Sequence, residues 1–273
     1  MDAIAVRRMS GEVAERLRTA PPDAGRVHSI FDRVVNLAWH DGRLLTLQGP
    51  GRLCAPFAAE MPRLPRARSV RPGASVRRQG DTLALDGVSI EWQGALISDS
   101  TMPEHAGAPA PALSVLLAEP RADSAPGLSS TIGRRARSRL AEGLSRRDPE
   151  AFIDGARELL GLGEGLTPAG DDCLVGTLAV IHRFARGWPR AHPEIEASVG
   201  TAAATATTVV AREFVVHALG GHFAESLIDL LIAESADEVG RAATRLLRTG
   251  ATSGADTLAG VRLGLVALGV ARP

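Results

Sequence analysis

Apolar positions fall in two different rhythms along the chain. From Arg26 to about Ala118 they come in short runs: VHSIFDRVVNLAW (27–39), LLTLQG (44–49), SVRRQGDTLALDGVSIEW (75–92) and ALSVLLA (112–118). Asp41-Gly42, Gly49-Pro50-Gly51, Pro72-Gly73 and Asp86-Gly87 cut these runs. Asp-Gly between apolar runs is a tight-turn signal for antiparallel hairpins, so this part is predicted to be a small, mostly β, barrel-like domain. Ahead of it, SGEVAERLRT (10–19) reads as a short helix capped by Ser10. The Pro-, Gly- and Ala-rich stretch 100–111 reads as a loop.

After Pro126 the period changes to that of helices. Arg134–Leu144 is a basic amphipathic segment, and Asp148-Pro149 places a capping carboxylate ahead of a proline at the first helical position. Ile153, Ala156, Leu159 and Leu160 then share one face. Further helices are predicted over 172–186, roughly 194–218, 222–233, 236–248 and 255–270. The small-residue stretch GTAAATATTVVA ending at Ala211 suits a central helix approached closely by its neighbours, though an ordinary alanine-rich helix has the same pattern. The expected class is α+β, with a mostly β domain over 1–125 and an all-helical domain over 126–273.

Composition narrows the function. The 273 residues are 45% hydrophobic with no net charge, enough apolar material for a sizeable core. Aromatics are 3% and Tyr is absent, which argues against the stacking platform and basic footprint of a nucleic-acid binder. The arginines at 134, 135, 137, 139, 146 and 147 read as solvated helix faces. All 31 Lys-plus-Arg residues are Arg, so a lysine phosphate loop, a Schiff-base lysine and a pyridoxal anchor are excluded. Cys54 and Cys173 have no nearby partner cysteine, which fits a reducing compartment. There is no apolar leader and no uncharged apolar run of about 18 residues, so the expectation is a cytoplasmic protein without a membrane span.

The chemistry concentrates in GLGEGLTPAGDDCLVG (161–176). Its glycines permit positive φ and close backbone approach, and Pro168 leads into an apolar helix with Leu174, Leu178 and Ile181 at helical spacing. The loop therefore ends at a helix N-terminus, where amides are unpaired and the dipole end is positive. One of Asp171 and Asp172 could serve as a cap; the second is then surplus. An internal echo strengthens the signal. GDDCLVG (170–176) and GADTLAG (254–260) share Gly-x-Asp-x-Leu-x-Gly, and each opens an apolar helix.

The repeat predicts two helical halves whose N-termini meet in one cleft. Asp171, Asp172 and Asp256 are the expected catalytic carboxylates. Gly163, Glu164, Gly165, Thr167 and Gly170 on one loop, Thr252, Ser253 and Gly254 on the other, and Thr208 with Arg212 are the expected substrate-binding residues. Three carboxylates repel a bare anion. Either Mg²⁺ bridges them to an anionic substrate through Asp171 and Asp172, or they accept hydrogen bonds from an amide, urea or carbamoyl NH₂. Among weaker candidates, Glu213, His217 and His222 lack any metalloprotease spacing, and both histidines read as helix-end or surface groups. Thr205, Thr208 and Arg212 share a helical face. Cys173, beside two carboxylates, reads as packing rather than as a nucleophile.

GLGEGLTPAGDD resembles the signature of a bacterial family, long a domain of unknown function, that includes the H subunit of oxamate carbamoyltransferase of anaerobic allantoin and purine breakdown. VHSIFDRVVNLAWHDGRLLTLQGPG (27–51), TTVVAREFVVHALGGHFAESL (207–227) and TSGADTLAGVRLGL (252–265) resemble other stretches of the family. Relatives often carry Ser where this chain has Ala169, which removes any hydroxyl contact there. The resemblance implies transfer of a carbamoyl group between a ureido carboxylic acid and phosphate, in a complex with other subunits. A partner-docking scaffold and a metal-dependent hydrolase stand as alternatives.

Overall fold

The computed structural model describes residues 2–51, 54–65, 70–105, 111–118, 126–185 and 187–269, and the chain forms two compact units, Met1–Ser100 and Thr101–Pro273. The division falls ahead of the boundary expected at 125. The reason lies in the apolar run 112–118, which was expected among the strands. It forms a 3-10 turn (Pro111–Ser114) and a helical turn whose Leu113 and Leu116 join the core of the helical unit. Of the predicted 100–111 loop, residues 106–110 lie outside the described residues.

In the first unit, β1 (Asp2–Ala5) and β2 (Arg8–Ser10) lead into α1 (Gly11–Thr19), whose Ser10 cap accepts from the Val13 amide at 3.1 Å. Then follow β3 (Asp23–Phe31), β4 (Val34–Trp39), β5 (Leu44–Gln48), β6 (Ala58–Glu60), β7 (Ser75–Gln79), β8 (Thr82–Leu85), β9 (Val88–Glu91) and β10 (Leu96–Ser98). All ten strands form one mixed sheet in the order β1-β9-β8-β7-β3-β4-β5-β6-β2-β10. β1 and β2 are halves of one extended stretch interrupted only by Val6 and Arg7, whose amides bond Glu91 and Glu60 at opposite ends of the order. The sheet thus curls back on itself, as the barrel-like expectation required.

The turn chemistry was readable. Between β8 and β9, Asp86 and Gly87 take φ of 38° and 86°, the paired positive values of a tight hairpin turn. The single run 27–39 is in fact two strands, turning at Asp32-Arg33, where no glycine or proline marks the break. The core of this unit sets Val13 and Leu17 of α1 against Val35, Leu37, Leu45 and Leu47. On β5 the alternate residues Thr46 and Gln48 are buried as well, and Thr46 donates to Asn36 on β4 at 2.7 Å.

The second unit is helical: α2 (Val115–Ala118), α3 (Pro126–Ser129), α4 (Thr131–Arg146), α5 (Pro149–Leu159), α6 (Ala169–Phe184), α7 (Trp188–Ala191), α8 (Pro193–Ala206), α9 (Val209–Leu219), α10 (Glu225–Ile232), α11 (Ala236–Leu247) and α12 (Ser253–Ala267). α5 starts as predicted, with Asp148 accepting from the amides of Glu150 and Ala151. The single helix expected over 194–218 is two. Thr207 is extended and Thr208 caps a new helix by accepting the Ala211 amide, so the chain turns at the hydroxyl pair. Thr205 therefore belongs to α8, not to the face of Thr208 and Arg212.

The central helix is α6 rather than the alanine-rich α8. Every residue from Ala169 to Ile181 is buried, whereas α8 buries only Ile195, Val199 and Ala203. Small side chains on α8 leave one face in water; between its first and last turns α6 is apolar nearly all round and needs neighbours on every side. Its most extensive neighbour is α12. A Cβ on Gly176 would stand 2.1 Å from the Thr257 carbonyl oxygen, and one on Gly260 1.9 Å from that of Cys173. Those four residues occupy matching places in GDDCLVG and GADTLAG. The contact is reciprocal, as in a local two-fold, and the internal echo is a packing fact: each half's last glycine lets the other helix's backbone in.

Candidate functional site

The same correspondence holds six residues earlier, nearly two turns back. A Cβ on Gly170 would meet the carbonyl oxygen of Leu159 at 2.0 Å, and one on Gly254 that of Leu246 at 2.0 Å. Each repeat therefore seats its helix start against the end of the preceding helix, α5 or α11. Between α5 and α6 the loop leaves the core and returns. Gly163 has φ of 122° and lies over the Ala169 amide, where a side chain would collide at 2.8 Å. Gly163, Glu164, Gly165 and Leu166 are exposed, while Pro168, Ala169 and Gly170 are buried.

The two adjacent carboxylates have different surroundings. Asp171, 1% exposed, accepts the Gly161 amide at 3.1 Å and the Thr207 hydroxyl at 2.7 Å, both on Oδ2. It fastens the end of α5 and the α8–α9 junction to the start of α6. Asp172, 7% exposed, is hydrogen-bonded by Ser253 and Thr167, whose own hydroxyls lie 2.6 Å apart. Asp256, wholly buried in the first turn of α12, is close enough to disfavour the Asp172 charge. The structure therefore brings together Thr167, Asp171, Asp172, Ser253 and Asp256 at two helix starts, Gly170 and Gly254 lying beneath.

Capping does not account for Asp172. Pro168 and Thr252 precede α6 and α12 without a side-chain cap bond, and the partners of Asp172 are hydroxyls rather than helix amides. Oδ1 of Asp171 and Oδ2 of Asp172 are buried with no hydrogen-bond partner. Leaving such acceptors unsatisfied costs about 1–3 kcal/mol each, a cost that a ligand bearing N–H or O–H donors would remove.

Burial dominates the electrostatics. It pushes Asp171 up to about 6, against the opposing bonds from Thr207 and Gly161. It also holds Asp172 well above the usual carboxylate range; the Ser253 bond opposes this, and the charges of Asp256 and Asp171 reinforce it. A carboxyl whose proton affinity is raised in this way is better suited to exchange a proton with a ligand than an ordinary one. Cys173 is fully buried and its thiol is pushed up to about 12, again chiefly by burial, so it does not act as a nucleophile.

Other predicted residues lie apart from this group. Thr208 caps α9 and donates to the Leu166 carbonyl, which pins the loop tip. Arg212 pairs with the buried Glu213 at 3.2 Å. His217, expected at a surface or helix end, is in the last turn of α9 but only 2% exposed, 3.9 Å from the Glu213 carboxylate. Among the described residues, no three His, Cys, Asp or Glu side chains gather into a metal-holding group. Sequence reasoning missed Thr207 and Gly161, the partners of Asp171. The Thr207-Thr208 doublet ahead of Val209-Val210 was the available signal, since a hydroxyl before a new apolar stretch is a helix-start mark.

Residues 159–265 match the model of the oxamate carbamoyltransferase subunit AllH, and residues 3–98 match the AllH family N-terminal domain. The chain belongs to the AllH family. The first AllH match opens at Leu159, against which Gly170 packs, and closes two residues before the end of α12, so it contains both repeats. The AllH N-terminal match ends with β10 and nearly coincides with the first compact unit. No curated protein and no solved structure matches the chain. The family description is that of a carbamoyltransferase subunit, so its members act beside other subunits. Among the described residues, no helix is long and apolar enough to cross a membrane.

Proposed function

We propose that this chain is the subunit of an oxamate carbamoyltransferase-type enzyme that holds the small amide or ureido ligand, and that it does so at the paired starts of α6 and α12. One observation carries the reading: two buried carboxylate oxygens, on Asp171 and Asp172, have no partner beside the touching hydroxyls of Thr167 and Ser253. An amide or carbamoyl NH₂ offers the two donors that such acceptors lack. The family description supports the reaction class.

In this reading Asp171 is already half used by Gly161 and Thr207 and positions the loop, while Asp172 meets the reacting nitrogen. When an amide nitrogen attacks a carbamoyl carbon bound to phosphate, a C–N bond forms and the C–O bond to phosphate breaks. The nitrogen loses one proton and the departing phosphate gains one. Asp172, with its raised proton affinity, suits the relay of that proton. Thr167 and Ser253 keep its carboxyl oriented. The three carboxylates do not assemble a metal cage among the described residues, so binding is expected to be the same with and without Mg²⁺. Calorimetric titration of the full chain with oxamate and with oxalurate tests the reading. Saturable binding of either is expected; binding of neither, with or without Mg²⁺, refutes it and leaves the partner-docking role.

A further inference from the structure

We infer that the end of the helical unit at which α4, α6, α9 and α12 begin is the docking face for another subunit, one that presents apolar side chains flanked by carboxylates. The inference goes beyond the ligand reading above and does not rest on it.

Contacts show that the four starts lie together. A Cβ on Gly133, near the start of α4, would stand 2.4 Å from the Gly127 carbonyl oxygen, and one on Gly127 3.1 Å from the Gly163 Cα. The Thr208 cap of α9 donates to the Leu166 carbonyl. Thr167, next along the loop, lies 2.6 Å from Ser253 at the start of α12. A Cβ on Gly254 would stand 2.9 Å from the Leu247 Cα, at the end of α11.

Four large apolar side chains stand in water at this end. Ile132, Leu166, Val209 and Leu247 are all exposed, Ile132 and Leu166 by more than half. The other exposed large apolar residues described in this unit, Ile232 and Val266, lie elsewhere. Ile232 follows Leu231, whose carbonyl accepts from Arg183 in the last turn of α6, and Val266 is in the last turn of α12. Single exposed apolar side chains are ordinary, whereas several grouped round one loop mark an interaction surface.

The charges at this end select the partner. Each helix start is the positive end of its dipole. α4 and α9 have no acidic residue in the first turn, and those of α6 and α12 (Asp171, Asp172 and Asp256) are buried, not presented at the surface. Arg134, in the first turn of α4, and Arg248, next to Leu247, are exposed and form no ion pair among the described residues. Against them the signature loop sets Glu164. A second copy of this face would bring arginine towards arginine. A partner with Asp or Glu round an apolar centre matches both features, as arginines at the rim of an apolar patch commonly require. The family description, that of an enzyme subunit, supplies the class of occupant.

The test measures binding of the full chain to the other subunits of the enzyme, purified separately, by biolayer interferometry. L166D is expected to weaken binding at least about tenfold, while I232D binds as the parent does. L247D takes the place of L166D if the loop variant does not fold. R134E suits a first helical turn yet reverses a charge on the face, so it should also weaken binding. Parent-like binding by L166D, equal losses in L166D and I232D, or no binding by the parent overturns the inference. Unchanged or tighter binding by R134E overturns the acidic partner. Sedimentation of the parent alone covers the second copy: a dimer that L166D dissociates would overturn the inference as well. A parent that binds the other subunits through this face but does not bind oxamate would sink the ligand reading and leave the docking face standing.

Discussion

Replacing Asp171 by Asn should stabilise the helical unit, and only above a particular pH. Asp171 is buried at 1% exposure, and burial raises its proton affinity until the group titrates at about 6 instead of 3.8. The folded state thus holds this proton more tightly than the unfolded chain. Stability from this group is fully present below pH ~4 and is lost as pH rises through about 6. At roughly 1.4 kcal/mol per pH unit, the ionised group costs at most about 3 kcal/mol in neutral solution. Asn keeps an acceptor oxygen for the Gly161 amide and the Thr207 hydroxyl and carries no charge to desolvate. At about 2–4 °C per kcal/mol for a unit of this size, the melting temperature of Asp171→Asn should exceed the parent's by several degrees at pH 7.5. The two should converge near pH 4. Thermal unfolding followed by circular dichroism across pH 4–8 measures the difference. A variant destabilised equally at every pH would refute the reasoning, because it would mean that the carboxylate charge is compensated inside the fold.

Other consequences concern packing and the hydroxyl pair. Gly260→Ala would drive a methyl to 1.9 Å from the Cys173 carbonyl oxygen and should cost roughly 3 kcal/mol or more. Gly240→Ala, exposed on α11 with open space around it, should instead gain about 1 kcal/mol; equal melting temperatures for the two variants would contradict the crossing of α6 and α12. Ser253→Ala removes a bond that favours the charged form of Asp172. The Asp172 carboxyl should therefore titrate at higher pH still, which ¹³C side-chain NMR can follow; an unmoved or lowered titration would exclude the Ser253 contact.

Much of the fold was legible because the local signals were strong. The Asp86-Gly87 turn, the Ser10 cap and the Asp148-Pro149 start are set by short-range chemistry, and each stands where it was expected. The failures share a different cause. The run 112–118 is apolar enough for a strand or a buried helix, and only packing against the helical core decides between them. The break at Thr207 depends on a bond to Asp171, 36 residues away in sequence. Of the site, the repeat exposed Asp172, Asp256, Thr167 and Ser253. The partners of Asp171, Gly161 and Thr207, depend on how α5, α8 and α9 pack around the start of α6, which a single chain's pattern does not encode.

The central claim is that Asp172 meets a ligand rather than capping a helix, and the most direct test compares oxamate binding by the parent and by Asp172→Asn. Asn removes the exchangeable proton and one acceptor oxygen but equals Asp as a cap. With burial already holding the Asp172 proton tightly, the variant should melt no lower than the parent at pH 7.5. Its affinity for oxamate should fall about five- to a hundredfold, because a ligand N–H left unsatisfied in a buried site costs roughly 1–3 kcal/mol. A stable variant that binds oxamate as tightly as the parent would contradict the account.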